Sequence, residues 1–216
     1  MTSPSVRDLT LQQFEDRIAT DAPTPGGGAL AAVTVSFAGA LLQMCLAITE
    51  KKRPGAAVTV LKQRAIEFLA LCRGTADEDI EAFDSYIAAL RLPKADQEEK
   101  TARDAALRSS LLESTRVPLE AACRALDLAE LAIQAEPEVL AAVLSDLGTS
   151  LEFLRAAATS LLLNVETNMR SLRAVEDGDA EPLFDLYAEV SARYARIENR
   201  LTGALAQIRR RVKEGS

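Results

Sequence analysis

A chain of 216 residues with 25 basic and 32 acidic side chains, a net charge of -7 and 48% hydrophobic residues can bury a sizeable core and is too acidic to present a nucleic-acid surface. It contains no histidine, which removes the usual general base, the Ser-His-Asp and Cys-His arrangements and the usual zinc ligands; acid–base work falls to carboxylates, lysines or tyrosines. Cys45, Cys72 and Cys123 are far apart and odd in number, so they read as small buried residues of a reducing compartment, with neither a disulfide frame nor a metal cluster expected. Residues 1–7 lack the apolar core of a signal peptide, and the expected location is cytoplasmic.

In chain order, residues 1–8 are expected to be a flexible lead-in, and Thr10 with Gln13 makes a capping box for a first helix over residues 11–20. The run Ala22-Pro23-Thr24-Pro25-Gly26-Gly27-Gly28 follows. Its prolines stiffen the approach, and its glycines let the backbone come close to another group and offer bare amide donors where a helix starts. That is the chemistry of an anion or ligand seat, although a tight turn between closely packed helices uses the same residues. The run opens an alanine-rich central helix that ends near Lys51-Lys52-Arg53, before Pro54. Residues 29–48 carry no charge and are long enough to cross a bilayer, but half of them are alanine, serine, threonine, glycine or glutamine; a buried helix with no membrane contact is the better fit. Ala32, Ser36 and Ala40 line one face of it with small side chains, which suits a bundle centre or a subunit interface.

A third, long helix is expected over residues 55–91, closed by Pro93. Asp96 with Glu99 caps a fourth, which runs to about residue 134 with a kink at Pro118. A fifth starts at Pro137 and reaches about residue 175, and Asp177-Gly178-Asp179 makes a turn before the last, residues 180–213. No strand-period segment is bounded by turn residues. The expected fold class is therefore all-α: a long-helix up-and-down bundle of about six helices, one domain over residues 1–216.

Polar residues on apolar stripes mark where chemistry could sit. Phe68, Cys72, Asp79, Phe83, Tyr86 and Leu90 share one face of the third helix, so Asp79 is expected to point inward. Apolar surroundings raise a carboxyl's pKa toward the range where it donates a proton near neutral pH; a buried carboxylate satisfied by a backbone amide or an arginine fits the same pattern. Asp77, Glu78, Glu81 and Asp84 lie mostly on other faces and read as solvated charge. On the fifth helix Asp146, Ser150, Phe153, Ala157, Asn164 and Asn168 project from roughly one side. Asp146 and Asn164 stand about 27 Å apart along a helix. They fit an elongated ligand, two different sites or an interface, and the asparagines fit ligand contact and interhelical pairing equally.

Six motifs combine these features: Pro23-Thr24-Pro25-Gly26-Gly27-Gly28, Asp79-Ile80-Glu81-Ala82-Phe83, Leu92-Pro93-Lys94, Val117-Pro118-Leu119, Ser145-Asp146-Leu147 and Asn164-Val165-Glu166-Thr167-Asn168. Their order and spacing resemble the formimidoyl-tetrahydrofolate cyclodeaminase family, which also includes bacterial methenyl-tetrahydrofolate cyclohydrolases. The resemblance covers residues 11–205. It implies an all-helical homodimer that binds reduced folate near the glycine loop, needs no cofactor beyond that substrate, and acts on the one-carbon unit between two nitrogens through a tetrahedral carbon with an amine leaving group. By matching position Asp79 is the catalytic carboxylate, and Gly26, Gly27 and Gly28 contact folate in a loop that Thr24 shapes. On the same resemblance Lys94, and Lys51 or Lys52, would hold the glutamate carboxylates, although plain solvation fits these lysines equally, while Asp146 and Asn164 match further family positions in substrate binding.

The chain departs from the pattern at two places: Ala29 stands where many members have serine, and Glu50 where they have glycine before the lysine pair. Neither the cyclodeaminase nor the cyclohydrolase activity is separated by sequence, although no formiminotransferase segment is expected in it. Ala29 and Glu50 also fit a helical homodimer that binds folate without turnover.

Overall fold

The computed structural model describes residues 4–174 and 180–214. Apolar side chains at helical spacing yield seven α-helices among the described residues: α1 (Leu11–Ile18), α2 (Gly27–Lys52), α3 (Ala56–Leu71), α4 (Thr75–Leu90), α5 (Gln97–Ala135), α6 (Leu144–Ala174) and α7 (Glu181–Glu214). The all-α bundle expected from the sequence is present. Both predicted side-chain caps are made: Thr10 and Gln13 bond reciprocally at the start of α1, and the Asp96 carboxylate accepts the Glu99 amide at 2.8 Å at the start of α5.

Residue pairings set the direction of each helix. Going up α2, Gly28 lies against Asp79, Ser36 donates to the Cys72 carbonyl at 3.3 Å, and Glu50 meets Thr59 at 2.6 Å and also Lys62. Thus α3 and α4 descend beside α2 as one column. In the same way Asn164 lies against Gly27, Ser150 donates to the Ala38 carbonyl at 2.8 Å, and the Cys45 thiol lies 3.6 Å from the Val143 carbonyl, so α6 is antiparallel to α2. α5 runs up between α4 and α6, and α7 returns along α6, with Thr159 and Tyr194 joined at 2.9 Å.

The expected third helix is two helices. Helical bonding stops at Cys72 and restarts at Thr75 across Gly74, a residue that costs a helix interior about 1 kcal/mol, and Ser36 takes up one of the carbonyls left at the break. The apolar phase continues across it: Cys72 is buried and Asp79 faces inward, while Leu90 is exposed. Two further differences concern boundaries and faces. α6 begins at Leu144, after a 3-10 turn at Ala141–Val143, and not at Pro137. Phe153 is exposed although its expected stripe partners Ser150 and Ala157 are buried. As expected, α5 runs on as one helix past Pro118. The predicted turn at Asp177-Gly178-Asp179 lies outside the described residues.

By length and composition α2 could cross a membrane. In this fold it is the central element, with Ala38, Leu42, Cys45 and Leu46 fully buried in a core shared with Leu119 and Leu128 of α5 and Leu151 and Leu154 of α6. Close approach is achieved at Gly39, where an added Cβ would stand 3.3 Å from Leu128 and 3.4 Å from Leu69; Ala40, expected on the contact face, is exposed. Residues 5–8, expected to be flexible, form a 3-10 turn tied to α4: Asp77 accepts the Ser5 hydroxyl at 2.6 Å and the Val6 amide at 2.8 Å.

Near its C-terminal end α7 is locked to the α5–α6 connection by Arg211. The guanidinium donates to the buried Glu136 carboxylate at 2.7 Å, to the Glu136 carbonyl at 2.8 Å and to the Val139 carbonyl at 3.2 Å. Removing it strands a buried carboxylate, so Arg211→Met is expected to lower the unfolding free energy by about 2–3 kcal/mol. A urea midpoint unchanged from wild type would refute that.

Candidate active site

The first backbone bond of α2 runs from the Leu30 amide to the Gly26 carbonyl, at 3.1 Å. The amides of Gly27, Gly28 and Ala29 therefore have no intrahelical acceptor, and Gly26 at the cap position has no side chain to take one. Asp79 of α4 supplies the missing acceptor by accepting the Ala29 amide. This needs Gly28. A Cβ there would lie 2.3 Å from Asp79 Oδ1 and 2.7 Å from Cγ, closer than any real side chain permits. The glycine run thus admits a carboxylate from within the protein to the start of α2, a role the sequence left unspecified.

Around this contact Pro23, Thr24 and the three glycines, Phe83 of α4, Ser114 and Pro118 of α5, and Asn164 and Asn168 of α6 enclose a cavity of about 130 Å³. That is the scale of one flat bicyclic ring, roughly the share of four liquid waters. Burial pushes the Asp79 carboxyl up from 3.8 to about 6, against the Ala29 amide, which pulls it down. The carboxyl can therefore hold or release a proton near neutral pH. Asn164 donates to the Ser160 carbonyl of its own helix at 2.8 Å and Asn168 to the Ser114 carbonyl across the cavity at 2.7 Å. Thr24 lines the cavity and donates to Asp84 at 2.7 Å, so Asp84, exposed as expected, and the half-buried Asp77 also anchor segments that lie over α4. A larger cavity, about 400 Å³, lies under Leu9 and Phe14 against Phe37 and Leu69; its lining is mostly apolar, with Arg7 and Arg73 beside it and no carboxylate.

Residues 10–179 match the formiminotransferase-cyclodeaminase family model. The chain belongs to the formiminotransferase-cyclodeaminase family. The methenyltetrahydrofolate cyclohydrolase of Methylorubrum extorquens is 38% identical over 198 residues, which cover 87% of this chain and 93% of that protein. The formimidoyltransferase-cyclodeaminase of Rattus norvegicus is 28% identical over 179 residues, 78% of this chain and 32% of that longer protein. In fold the chain is similar to the crystal structure of formiminotetrahydrofolate cyclodeaminase from Thermotoga maritima, with a TM-score of 0.79 at 24% identity, covering 94% of this chain and 99% of the other.

In this member of the formiminotransferase-cyclodeaminase family the remaining sequence-predicted residues do not share the cavity. Asp146 lies in the first turn of α6, where its charge adds to the burial that pushes the Cys45 thiol up to about 12, and it is about 27 Å along α6 from Asn164. Lys51 and Lys52 end α2, roughly 35 Å along that helix from Gly28. Lys94 is exposed in the loop beyond α4. Glu50, the departure beside the lysine pair, is engaged by Lys62 and Thr59, so its charge is paired within the α2–α3 joint. Ser114, Phe83 and Pro118 of the cavity wall were not singled out as site residues from sequence; a proline inside a long helix was the available signal.

Proposed function

We propose that this chain is a methenyltetrahydrofolate cyclohydrolase, adding water to the one-carbon bridge of 5,10-methenyltetrahydrofolate to give 10-formyltetrahydrofolate. The observation that carries the reading is one half-buried carboxyl, Asp79, pushed up to about 6 by its surroundings in the wall of a ring-sized cavity. The similarity of nearly the full chain to a relative named for that reaction supports it.

In this mechanism the pterin occupies the cavity, with Phe83 excluding water and the amides of Gly27 and Gly28 donating to the ring. Asp79, as carboxylate, takes a proton from water as its oxygen bonds to the bridge carbon. As neutral acid it returns that proton to ring nitrogen N5 while the carbon–N5 bond breaks. The remaining hydroxyl proton leaves to solvent, and the carbon stays on N10 as a formyl group. A pKa near the working pH suits both transfers, and such a group contributes typically a factor of about 100 to 10,000. Similarity to formimidoyltransferase-cyclodeaminases favours a second reading, in which N10 attacks a formimino carbon on N5 and Asp79 protonates the departing ammonia. Absorbance of methenyltetrahydrofolate with purified protein tests both: faster loss than the buffer blank supports hydrolysis, appearance from the formimino compound supports cyclodeamination, and no change in either leaves a non-catalytic folate-binding dimer.

A ring seated in the cavity leaves the benzoyl-glutamate tail outside it, and Leu30 and Leu163, close in sequence to the cavity's Gly28 and Asn164, are 44% and 58% exposed. Together with Phe37 at 54% and Phe153 at 46% they leave α2 and α6 with an uncovered apolar face, and a second copy of the chain covers it. An antiparallel two-fold pairing on this face brings the second copy's Lys51, Lys52 and Asp146 to the cavity mouth, where the lysines meet the glutamate carboxylates. Phe37→Glu is expected to convert the dimer to monomer in sedimentation velocity and to lower turnover; a wild-type protein that sediments as a monomer refutes the pairing.

A further inference from the structure

Pro118 leaves α5 helical, yet it removes one donor from it. A residue inside an α-helix gives its N–H to the carbonyl four residues back, here that of Ser114, and proline has no N–H to give. The Ser114 carbonyl accepts instead from Asn168 Nδ2 of α6, at 2.7 Å. Only the amino end of a carboxamide donates, so this bond decides which way the Asn168 side chain faces: its nitrogen goes to α5 and its oxygen remains an acceptor. Asn164, one turn earlier, is oriented the same way by donating to the Ser160 carbonyl at 2.8 Å. Pro118, Ser114 and both asparagines border the cavity that Asp79 also borders.

We propose that Pro118 is a positioning residue for substrate recognition: by withholding an N–H it leaves the Ser114 carbonyl to Asn168, and so presents Asn168 and Asn164 as a pair of acceptors for the donor edge, ring N–H and amino groups, of a flat heterocycle. The inference rests on the folate reading of the cavity. With alanine at 118 an intrahelical N–H competes for the same carbonyl, and Asn168 loses the bond that orients it.

The test is a double-mutant cycle of Pro118→Ala and Asn168→Ala, read as KM and kcat for 5,10-methenyltetrahydrofolate. Pro118→Ala is expected to raise KM about tenfold, the scale of one lost hydrogen bond, to change kcat by less than about threefold, and to leave the pH dependence set by Asp79 in place. Asn168→Ala alone raises KM by a similar factor, and the double variant is no worse than Asn168→Ala, because an asparagine already released has little left to lose. Additive losses overturn the proposal, since the proline ring then acts by its own contact; so does an unchanged KM in Pro118→Ala. Alanine supplies a donor and is the better helix former, so the variant retains the fold. Asn168→Asp, which keeps the shape without the donor, checks the same point: it raises KM with proline at 118 and changes it less with alanine there. Wild-type protein that neither binds nor turns over the folate overturns the proposed function together with this inference, whereas wild-type turnover with additive variants overturns this inference alone.

Discussion

Asp79→Asn is expected to lower kcat by about 100-fold or more and, at pH 8, to make the protein more stable. Both follow from one carboxyl. Burial raises it from 3.8 to about 6, so between those values the folded state binds a proton that the unfolded state has released. Stability is fully present below pH 4, falls as pH rises through 6, and is lower by about 3 kcal/mol above pH 7. Asparagine keeps the acceptor for the Ala29 amide and carries no charge to desolvate. The variant should therefore unfold at higher urea than wild type at pH 8 and at the same urea at pH 4, while the rise of wild-type kcat with pH through about 6 disappears. A variant that is destabilised at both pH values, with full specific activity in its folded fraction, would make Asp79 a structural residue and sink the mechanism.

Gly28→Ala is expected to cost almost as much activity, about 100-fold, for a steric reason. The new Cβ would sit 2.3 Å from one Asp79 oxygen and 2.6 Å from the other, so the carboxyl has to swing out of the cavity wall. The clash is with the end of a flexible side chain, and alanine favours the helix by up to about 1 kcal/mol over glycine. The fold should survive and even gain stability at pH 8 as Asp79 reaches solvent. Gly27→Ala is the control: its Cβ would meet Asn164 at 3.7 Å, ordinary contact, with little change in kcat. Near-wild-type turnover in Gly28→Ala would mean that Asp79 need not stand where the structure has it.

The bundle and the inward Asp79 were legible because both rest on local rules. Thr10 and Asp96 cap as their spacing requires, and apolar periodicity placed Asp79 on the covered face. The break at Gly74 was not legible because the apolar phase runs through it unchanged: a column that stops and restarts in register has the same pattern as one that continues. Asp84 is exposed as expected, but hydrogen-bond partners distant in sequence were not visible. Asp77 is 71 residues from the Val6 amide it accepts and Asp84 is 60 from Thr24, separations that no window of periodicity covers. Pro118 was visible as a proline inside a long helix, but the donor that meets the Ser114 carbonyl was not, since Asn168 is 54 residues away.

The seam between α2 and α6 also bears on how the molecule is made. Ser150 and Ala38, joined across it, are 112 residues apart, while the α5–α6 and α6–α7 pairs close as hairpins between neighbours. Long loops close slowly, so the hairpins can zip first and the α2 seam last. The Gly27–Gly28 wall and the Asn164–Asn168 wall of the cavity belong to opposite sides of that seam. The pocket is therefore complete only when that seam is closed, and the Asp79 carboxyl has its full set of neighbours only in the finished bundle.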